Sequence, residues 1–352
     1  MHMQGFRNLH QPTGRFITVN HINYLFAGGT AYLGLLVNPD YTELFKKGID
    51  LYGLNNGTSR SNNIQLGIYE EAEHYLANRF QFESAALLSS GYLAAQVAVK
   101  SLSVNKTVYY APDTHPSLWL ADNPNNNQEF NEWADSVIDL INNSVDNEFV
   151  VISNALDNLT PRIYDFTVFN RVDSSKKLLL ILDDSHGIGV LNKHAVSMDF
   201  SKLKKHIECV VLASLAKGLG TDAGVILGSK LCIDQIKSHP IFNGASPSSA
   251  AGLYALINSA EIYEQAFQKL HQNIAHFRRL IKNLPLNSLS DFPVFSAKDP
   301  NLYEYLLDNR VLISSFPYPL ATSPLLNRIV ISSIHETEDL DRIVEVLTIG
   351  RH

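Results

Sequence analysis

The segment "KKLLLILDDSHGIGVLN", residues 176–192, carries the clearest structural signal in the sequence. An uninterrupted apolar run, Leu178–Leu182, is followed at once by Asp183, Asp184, His186 and a glycine-rich turn. A continuous apolar run of this length is typical of a strand buried on both faces, as in parallel sheets. Ionised carboxylates at the end of such a strand are unfavourable unless cations or hydrogen-bond donors face them. The segment therefore predicts a parallel sheet with a polar site where this strand ends.

The sequence around this segment repeats the same alternation. Between residues 66 and 240, amphipathic helical segments alternate with the apolar runs "SAALLSS", "KTVYYAP", "EFVVIS", "KLLLILDD", "ECVVLAS" and "AGVILGS". Strands that alternate with helices predict parallel pairing through crossover connections, and hence an α/β fold. The sheet is expected to lie between layers of helices.

Composition changes mark the predicted domains. "GRFITVNHINYLFAGG" predicts a short hairpin from Phe16 to Phe26, and the Ser-, Pro- and Gly-rich "SHPIFNGASPSSAAG" predicts the end of the large domain. A long helical region follows, from Ala250 to about Leu284, and then several strands and a C-terminal helix. We expect an N-terminal arm and hairpin at 1–30, a large domain at 31–245 and a smaller α+β domain at 246–352.

Composition also limits the class of partner. The 352 residues carry a net charge of −7 and no basic stripe, which favours small-molecule partners over nucleic acid. Two cysteines without CxxC spacing are typical of a reducing compartment, so we expect a cytoplasmic protein. No run approaches the about 20 apolar residues of a membrane span, so none is expected.

Polar residues follow four of the apolar runs where each predicted strand ends. In open α/β sheets, ligands bind beyond the carboxyl ends of the strands, so these residues are candidates for a functional site. In chain order they are Ser90-Gly91-Tyr92 after "AALLS", Asp113-Thr114-His115 after "TVYYA", Asp183 with His186 after "LLLIL", and Ser214 to Lys217 after "CVVLA".

Each candidate also has an ordinary structural interpretation when taken alone. Ser90 before a helix is commonly an N-cap, and a histidine such as His115 is more often a hydrogen-bonded structural residue than a catalytic one. Asp183 could pair with a nearby cation, and Lys217 could extend from its loop into water. The alternative for Lys217 is a desolvated amine among small and apolar neighbours, which would be nucleophilic and able to form a Schiff base.

The four strand ends together match the requirements of pyridoxal 5′-phosphate (PLP). The cofactor needs an amine for its aldehyde, an acid at the pyridine nitrogen, backbone N–H groups for its phosphate and a group that stacks on its ring. Asp183 would face the pyridine nitrogen, and His186 would reach the 3′-oxygen. A metal site built from Asp183, Asp184 and His186 lacks a second ligand cluster, so no metal is expected.

The motifs resemble those of the α-oxoamine synthase family of fold-type I PLP enzymes, within the aminotransferase class I/II superfamily. "SSGYLAAQVAV", "DTHPSLWLA", "DDSHGIGVLN", "SLAKGLGTDAGVILG" and "NRIVISSIHETEDLDRIVEVL" follow the family's order and spacing. The resemblance implies the fold-type I architecture, with a mixed, mostly parallel sheet between helices in the large domain and a smaller α+β C-terminal domain.

The resemblance also implies a role for each matching residue. Lys217 forms the Schiff base and moves the α-proton of the substrate. The other implied roles are Asp183 at the pyridine nitrogen, His186 at the 3′-oxygen, His115 stacked on the ring, Ser90, Gly91, Tyr92 and Ser214 at the phosphate, and Arg328 at the amino-acid carboxylate. The implied reaction is a decarboxylative Claisen-type condensation of an amino acid with an acyl-CoA, catalysed by a homodimer with its active site at the subunit interface.

The sequence departs from the family pattern near the substrate contacts. Thr30 and Ala31 stand where the family has an asparagine near the substrate carboxylate, Asp157 stands in place of a serine, and Gly244 in place of a phosphate-binding threonine. These departures keep two alternatives open. One is an aminotransferase on the same scaffold, and the other is a catalytically silent family member.

Overall fold

The structure is a computed structural model that describes residues 6–126, 128–317, 322–323 and 325–349. Contacts divide the chain into two compact units: a large unit, Leu44–Asp157 and Ile163–Asn258, and a small unit, Met1–Glu43, Asn158–Arg162 and Ser259–His352. Contact density thus groups the N-terminal residues with the C-terminal ones. The predicted domain boundaries, 1–30, 31–245 and 246–352, stay a prediction.

The strands and helices follow the order that the sequence predicts. In chain order the strands are β1 (Phe16–Val19), β2 (Ile22–Ala27), β3 (Ser84–Leu88), β4 (Thr107–Tyr110), β5 (Glu148–Asn154), β6 (Leu156–Asp157), β7 (Arg162–Ile163), β8 (Lys177–Asp183), β9 (Ile207–Ser214), β10 (Gly224–Gly228), β11 (Asn287–Ser288), β12 (Val294–Ala297), β13 (Val311–Pro317) and β14 (Leu325–Val330). The α-helices are α1 (Pro39–Tyr52), α2 (Ile68–Phe80), α3 (Gly91–Leu102), α4 (Phe130–Asn143), α5 (Leu215–Gly218), α6 (Lys230–Ser238), α7 (Pro240–Gly244), α8 (Ala250–Asn258), α9 (Ala260–Leu280), α10 (Leu302–Asp308) and α11 (Thr337–Ile349).

The large unit is built on a six-stranded sheet of order β3-β10-β9-β8-β5-β4. Strands β4, β5, β8 and β9 pair in parallel, whereas β10 is antiparallel to both of its neighbours. The six apolar runs of the sequence are these six strands. The predicted mixed, mostly parallel sheet is confirmed, and the carboxyl ends of its four parallel strands lie at one edge.

Helices cover both faces of this sheet, which explains the uninterrupted apolar run of β8. Leu179 and Ile181 pack into a core with α3 and α6. Leu178, Leu180 and Leu182 point to the other face, into a core with the aromatic side chains of α4. Burying a leucine side chain contributes about 1.5–3 kcal/mol, so a strand covered on both faces gains from an apolar residue at every position.

The small unit has its own sheet, of order β1-β2-β13-β14-β12-β11. The predicted N-terminal hairpin is confirmed: β1 and β2 are antiparallel, with Phe16 opposite Leu25, and β2 continues the sheet by pairing in parallel with β13. The predicted helical region after Ala250 is present and consists of two helices. It divides into α8 and α9 because the backbone of Ser259 (φ −106°, ψ 25°) leaves the helical region between them.

Candidate active site

Hydrogen bonds of Ser185 connect the ends of β8 and β9. The Ser185 N–H donates to Asp183 Oδ1 at 2.9 Å, and the Ser185 hydroxyl accepts a hydrogen bond from the Ser214 N–H at 2.8 Å. These bonds hold the half-buried Asp183 at the strand end and fix it relative to the start of the lysine-bearing turn. The opening motif therefore places its first carboxylate at the edge of the sheet, as predicted.

Lys217 and His186 meet across two neighbouring turns. The Lys217 Nζ lies 3.0 Å from His186 Nε2, within hydrogen-bond distance, and both side chains are half-buried. The turns pack closely because Gly218 has no side chain, since a Cβ there would lie 2.8 Å from the Ile188 carbonyl oxygen. The lysine thus faces another polar group of the site rather than extending alone into water.

His115 shares the electrostatic environment of Asp183 and Lys217. Burial lowers the pKa of His115, the negative charge of Asp183 opposes this change, and the positive charge of Lys217 adds to it. The imidazole Nδ1 accepts a hydrogen bond from the Ser117 N–H at 3.2 Å, which fixes the ring at the start of a short helical turn. His115, Asp183 and Lys217 therefore act on each other within the large unit.

The start of α3 completes this group. The Ser90 hydroxyl accepts a hydrogen bond from the Leu93 N–H at 3.2 Å, so the predicted N-cap is present. A Cβ on Gly91 would lie 2.5 Å from Ser214 Cβ, so only glycine allows the helix start to approach Ser214 this closely. Tyr92 follows and is 59% exposed. The first N–H groups of a helix have no acceptor within it, and together with the helix dipole they form a binding site for a phosphate.

The second carboxylate of the motif, Asp184, has a different environment from Asp183. It is fully buried and accepts hydrogen bonds from the backbone N–H and the hydroxyl of Ser197. Burial raises the pKa of the Asp184 carboxyl to about 7, although the Ser197 hydrogen bonds oppose this change. Asp184 therefore stabilises the turn after β8 through its bonds to Ser197, and Asp183 is the carboxylate of the candidate site.

These residues fit PLP by their chemistry. The large unit brings together an amine, a carboxylate, two imidazoles and a helix start whose close approach to Ser214 depends on a glycine. Among the described residues, no group of three or more histidine, cysteine, aspartate or glutamate side chains is placed to hold a metal ion. The donor set therefore suits a phosphorylated aldehyde with a basic ring nitrogen.

The two predicted substrate residues, Arg328 and Thr30, belong to the small unit. Arg328 is 4% exposed, its guanidinium lies 5.0 Å from the centre of the Phe316 ring, and its Nη1 donates to the Asn158 carbonyl oxygen at 3.5 Å. Thr30 follows Gly29, whose N–H donates to Ser314 Oγ at 2.8 Å. Their roles toward substrate stay predictions.

Two polar residues outside the predicted set, Ser185 and Asn154, also hold the site together. Asn154 is the last residue of β5 and bonds to the turn that carries His115. The rule that found the other candidates, a polar residue after a buried apolar run, also applies to "EFVVISN". Ser185 gives no such signal, because its bridge to Ser214 joins positions 29 residues apart.

Comparison with known proteins identifies the family. The family described as aminotransferase class I and II matches residues 31–347. The chain therefore belongs to this family of PLP-dependent transferases, and the predicted family, enzyme class and cofactor are confirmed at that level. Among the described residues, no helix is both long and apolar enough to cross a membrane.

Individual relatives cover nearly the whole chain at low identity. The chain is 24% identical to 8-amino-7-oxononanoate synthase of Pectobacterium atrosepticum, over 95% of this chain and 91% of that protein. It is 22% identical to a putative 8-amino-7-oxononanoate synthase of Thermodesulfovibrio yellowstonii, over 97% of this chain and 92% of that protein. Among solved structures, the serine palmitoyltransferase of Sphingomonas wittichii matches with a TM-score of 0.79 and 17% identity, over 96% of this chain and 90% of that one. The structure of 8-amino-7-oxononanoate synthase from Francisella tularensis matches with a TM-score of 0.68 and 18% identity, over 93% of this chain and 98% of that one. These similarities confirm the fold-type I architecture.

Proposed function

We propose that this protein is a PLP-dependent C-acyltransferase that condenses an amino acid with an acyl-CoA thioester. The observation that carries the proposal is the meeting of Lys217, His186 and Asp183 at one edge of the large sheet. The names of the relatives, 8-amino-7-oxononanoate synthase and serine palmitoyltransferase, support acyl transfer as the reaction class.

Each residue of the large unit has a distinct task toward the cofactor. When bound, PLP supplies an aldehyde for amines and an electron-poor ring that stabilises negative charge on the amino-acid α-carbon. Lys217 would hold it covalently, and Asp183 would keep a proton on the ring nitrogen. His186 would bond the 3′-oxygen, and His115 would cover the ring face. Ser90, Gly91, Tyr92 and Ser214 would hold the phosphate through hydrogen bonds.

Lys217 and His186 are the candidates for proton transfer in the site. A protonated amine is not a nucleophile, so Lys217 must lose a proton before it can react with an aldehyde. His186 lies 3.0 Å from Lys217 Nζ, which places an imidazole within reach of that proton. With an amino acid bound in the site, the Lys217 amine would be the base that takes its α-proton.

Arg328 is the candidate for the amino-acid carboxylate. A planar guanidinium binds a carboxylate through two parallel hydrogen bonds, and burial strengthens such a pair. Thr30 is the second candidate substrate contact. We expect the active form to be a cytoplasmic homodimer with its active site at the subunit interface.

Asp157 favours a second candidate function, transamination. This carboxylate is 5% exposed and occupies the position at which the family resemblance predicts a serine. A carboxyl group in place of that hydroxyl departs from the pattern of the acyl-transferring family, whereas Lys217, Asp183 and both histidines match it. An aminotransferase with the same lysine, aspartate and histidines is therefore the alternative.

The test measures products rather than spectra alone. The protein with PLP is incubated with a panel of amino acids, each with an acyl-CoA series or a keto-acid series, and free CoA thiol and new amino acid are quantified. CoA release that requires both an amino acid and an acyl-CoA supports acyl transfer. Exchange between an amino acid and a keto acid without CoA release assigns transamination instead. A protein that binds PLP and does neither would contradict both candidates.

A further inference from the structure

Asn154 joins the strand end that carries Asp183 to the turn that carries His115. It is the last residue of β5, and the parallel ladder places it opposite Asp183 at the end of β8. The next residue continues this contact, since the Ala155 N–H donates to the Asp183 carbonyl oxygen at 2.8 Å. The backbone of Asn154 is therefore fixed relative to the carboxylate that would face the pyridine nitrogen.

The side chain of Asn154 binds a different strand end. Its Oδ1 accepts a hydrogen bond from the His115 N–H at 3.1 Å, and its Nδ2 donates to the Asp113 carbonyl oxygen at 2.7 Å. One amide group thus holds both ends of the turn Asp113–His115. An amide suits this task because it offers an acceptor and a donor in one rigid plane.

The turn needs this support because its backbone is strained. Asp113 has φ +54°, in the left-handed region that residues with a side chain rarely adopt. Aspartate tolerates this conformation better than most residues with a side chain, but it still costs free energy, so bonds around the turn help to hold it. The two bonds to Asn154, together with the bond from Trp119 Nε1 to the Thr114 carbonyl oxygen at 3.0 Å, hold the turn that presents His115.

We propose that Asn154 is a positioning residue that holds His115 at a fixed place relative to Asp183, and so sets the affinity and orientation of PLP in the site. The inference rests on the cofactor site proposed above. Asn154 bonds to the backbone of the His115 turn and pairs with the backbone of Asp183, so it acts through both residues. Its role is to keep the His115 ring, which would stack on the cofactor, at a fixed position relative to Asp183, which would bind the ring nitrogen.

A second asparagine of the large unit provides a matched control. The Asn170 amide also joins two backbone groups of one turn, since Nδ2 donates to the Lys202 carbonyl oxygen at 2.8 Å and Oδ1 accepts from the Lys204 N–H at 2.9 Å. That turn precedes β9, so it lies at the amino end of the parallel strands rather than the carboxyl end. Asn170→Ala removes the same kind of bridge from a place with no candidate cofactor residue.

The experiment compares Asn154→Ala, Asn154→Asp and Asn170→Ala with the unsubstituted chain. PLP affinity is measured by visible absorbance titration, cofactor orientation by induced circular dichroism, and folding by thermal unfolding without cofactor. Asn154→Ala is expected to weaken PLP binding about tenfold, equivalent to about 1.4 kcal/mol, and to change the induced dichroism. Asn154→Asp keeps the acceptor for the His115 N–H and should lose less. Asn170→Ala should leave affinity and dichroism unchanged, whatever its effect on unfolding.

A separate readout needs no cofactor. In the protein without PLP, the His115 imidazole is titrated by NMR, and its pKa should move toward the ordinary histidine value in Asn154→Ala because the ring is no longer held in its buried position. PLP affinity and His115 titration that change no more in Asn154→Ala than in Asn170→Ala would overturn the positioning role, while leaving the proposed function intact. An unsubstituted protein that binds no PLP would overturn both.

Discussion

Two strand ends in this molecule carry similar short motifs with opposite outcomes. In the large unit, β8 ends at Asp183 and the chain continues with Asp184-Ser185-His186. In the small unit, β14 ends at Val330, and after Ile331 the chain continues with Ser332-Ser333-Ile334-His335. Each motif places a histidine three residues after its first polar residue. The Nε2 atom of His186 lies 3.0 Å from the Lys217 amine. The His335 side chain is 1% exposed, and its ring nitrogens form hydrogen bonds with backbone groups of Ser332 and Phe26.

The hydrogen bonds of the two histidines explain the difference. His335 Nδ1 accepts from the Ser332 N–H at 3.0 Å, and its Nε2 donates to the Phe26 carbonyl oxygen at 2.9 Å. Both ring nitrogens are thus used to join the end of β14 to the N-terminal hairpin. His186 instead directs one nitrogen to a side chain that can exchange protons. The hydrogen-bond partners of a histidine that follows a buried strand, rather than the neighbouring sequence, therefore indicate whether it can take part in proton transfer or only stabilises the fold.

Replacement of Lys217 tests the chemical side of this comparison and has the largest expected effect. Lys217→Ala removes the nucleophile and the base, so product formation should fall by about 10²–10⁴-fold. The visible absorbance of PLP held by the protein should also be lost. Lys202→Ala is the matched control, because Lys202 is an exposed lysine of the same unit that pairs with Asp199. Equal absorbance and activity in the two variants would remove the basis for the proposed chemistry.

The sequence predicted the structural elements better than their long-range contacts. The six apolar runs became the six strands of the large sheet, because burial on both faces leaves a signal at every residue. The antiparallel direction of β10 left no such signal, since burial selects apolar residues regardless of strand direction. The helical region after Ala250 was predicted, but its division at Ser259 into α8 and α9 left little signal, because serine neither favours nor forbids a helix strongly.

The candidate site was predicted through residue type rather than geometry. The rule that ligands bind beyond the strand ends selected Lys217, Asp183 and His115, and the structure places their charges within reach of one another. The contact of Gly91 with Ser214 could not be predicted, because it joins positions far apart in the chain. The environment of Asp184 could not be predicted either, since nothing near it in sequence identifies Ser197 as its partner.

Replacement of His335 tests the structural side of the comparison. His335→Ala removes the partners of the Ser332 N–H and the Phe26 carbonyl, and each buried group left unsatisfied costs about 1–3 kcal/mol. The free energy of unfolding should fall accordingly, as measured by urea denaturation. PLP affinity of the folded protein should stay unchanged. A variant with normal stability and weakened PLP binding would show that the two histidines are not as different as their hydrogen bonds indicate.

The smallest expected effect concerns the buried carboxylate of Asp184, which has no counterpart in the second motif. Burial raises the pKa of Asp184 to about 7, so the folded state binds its proton more tightly than the unfolded state does. Stability from this group is therefore present at pH 4 and is lost as the pH rises toward 7, with a limiting slope of about 1.4 kcal/mol per pH unit. Asp184→Asn has no proton to lose, so its unfolding free energy between pH 4 and 7 should depend less on pH than that of the unsubstituted chain. Parallel pH profiles for the two proteins would mean that the Ser197 hydrogen bonds, rather than burial, determine the charge state of Asp184.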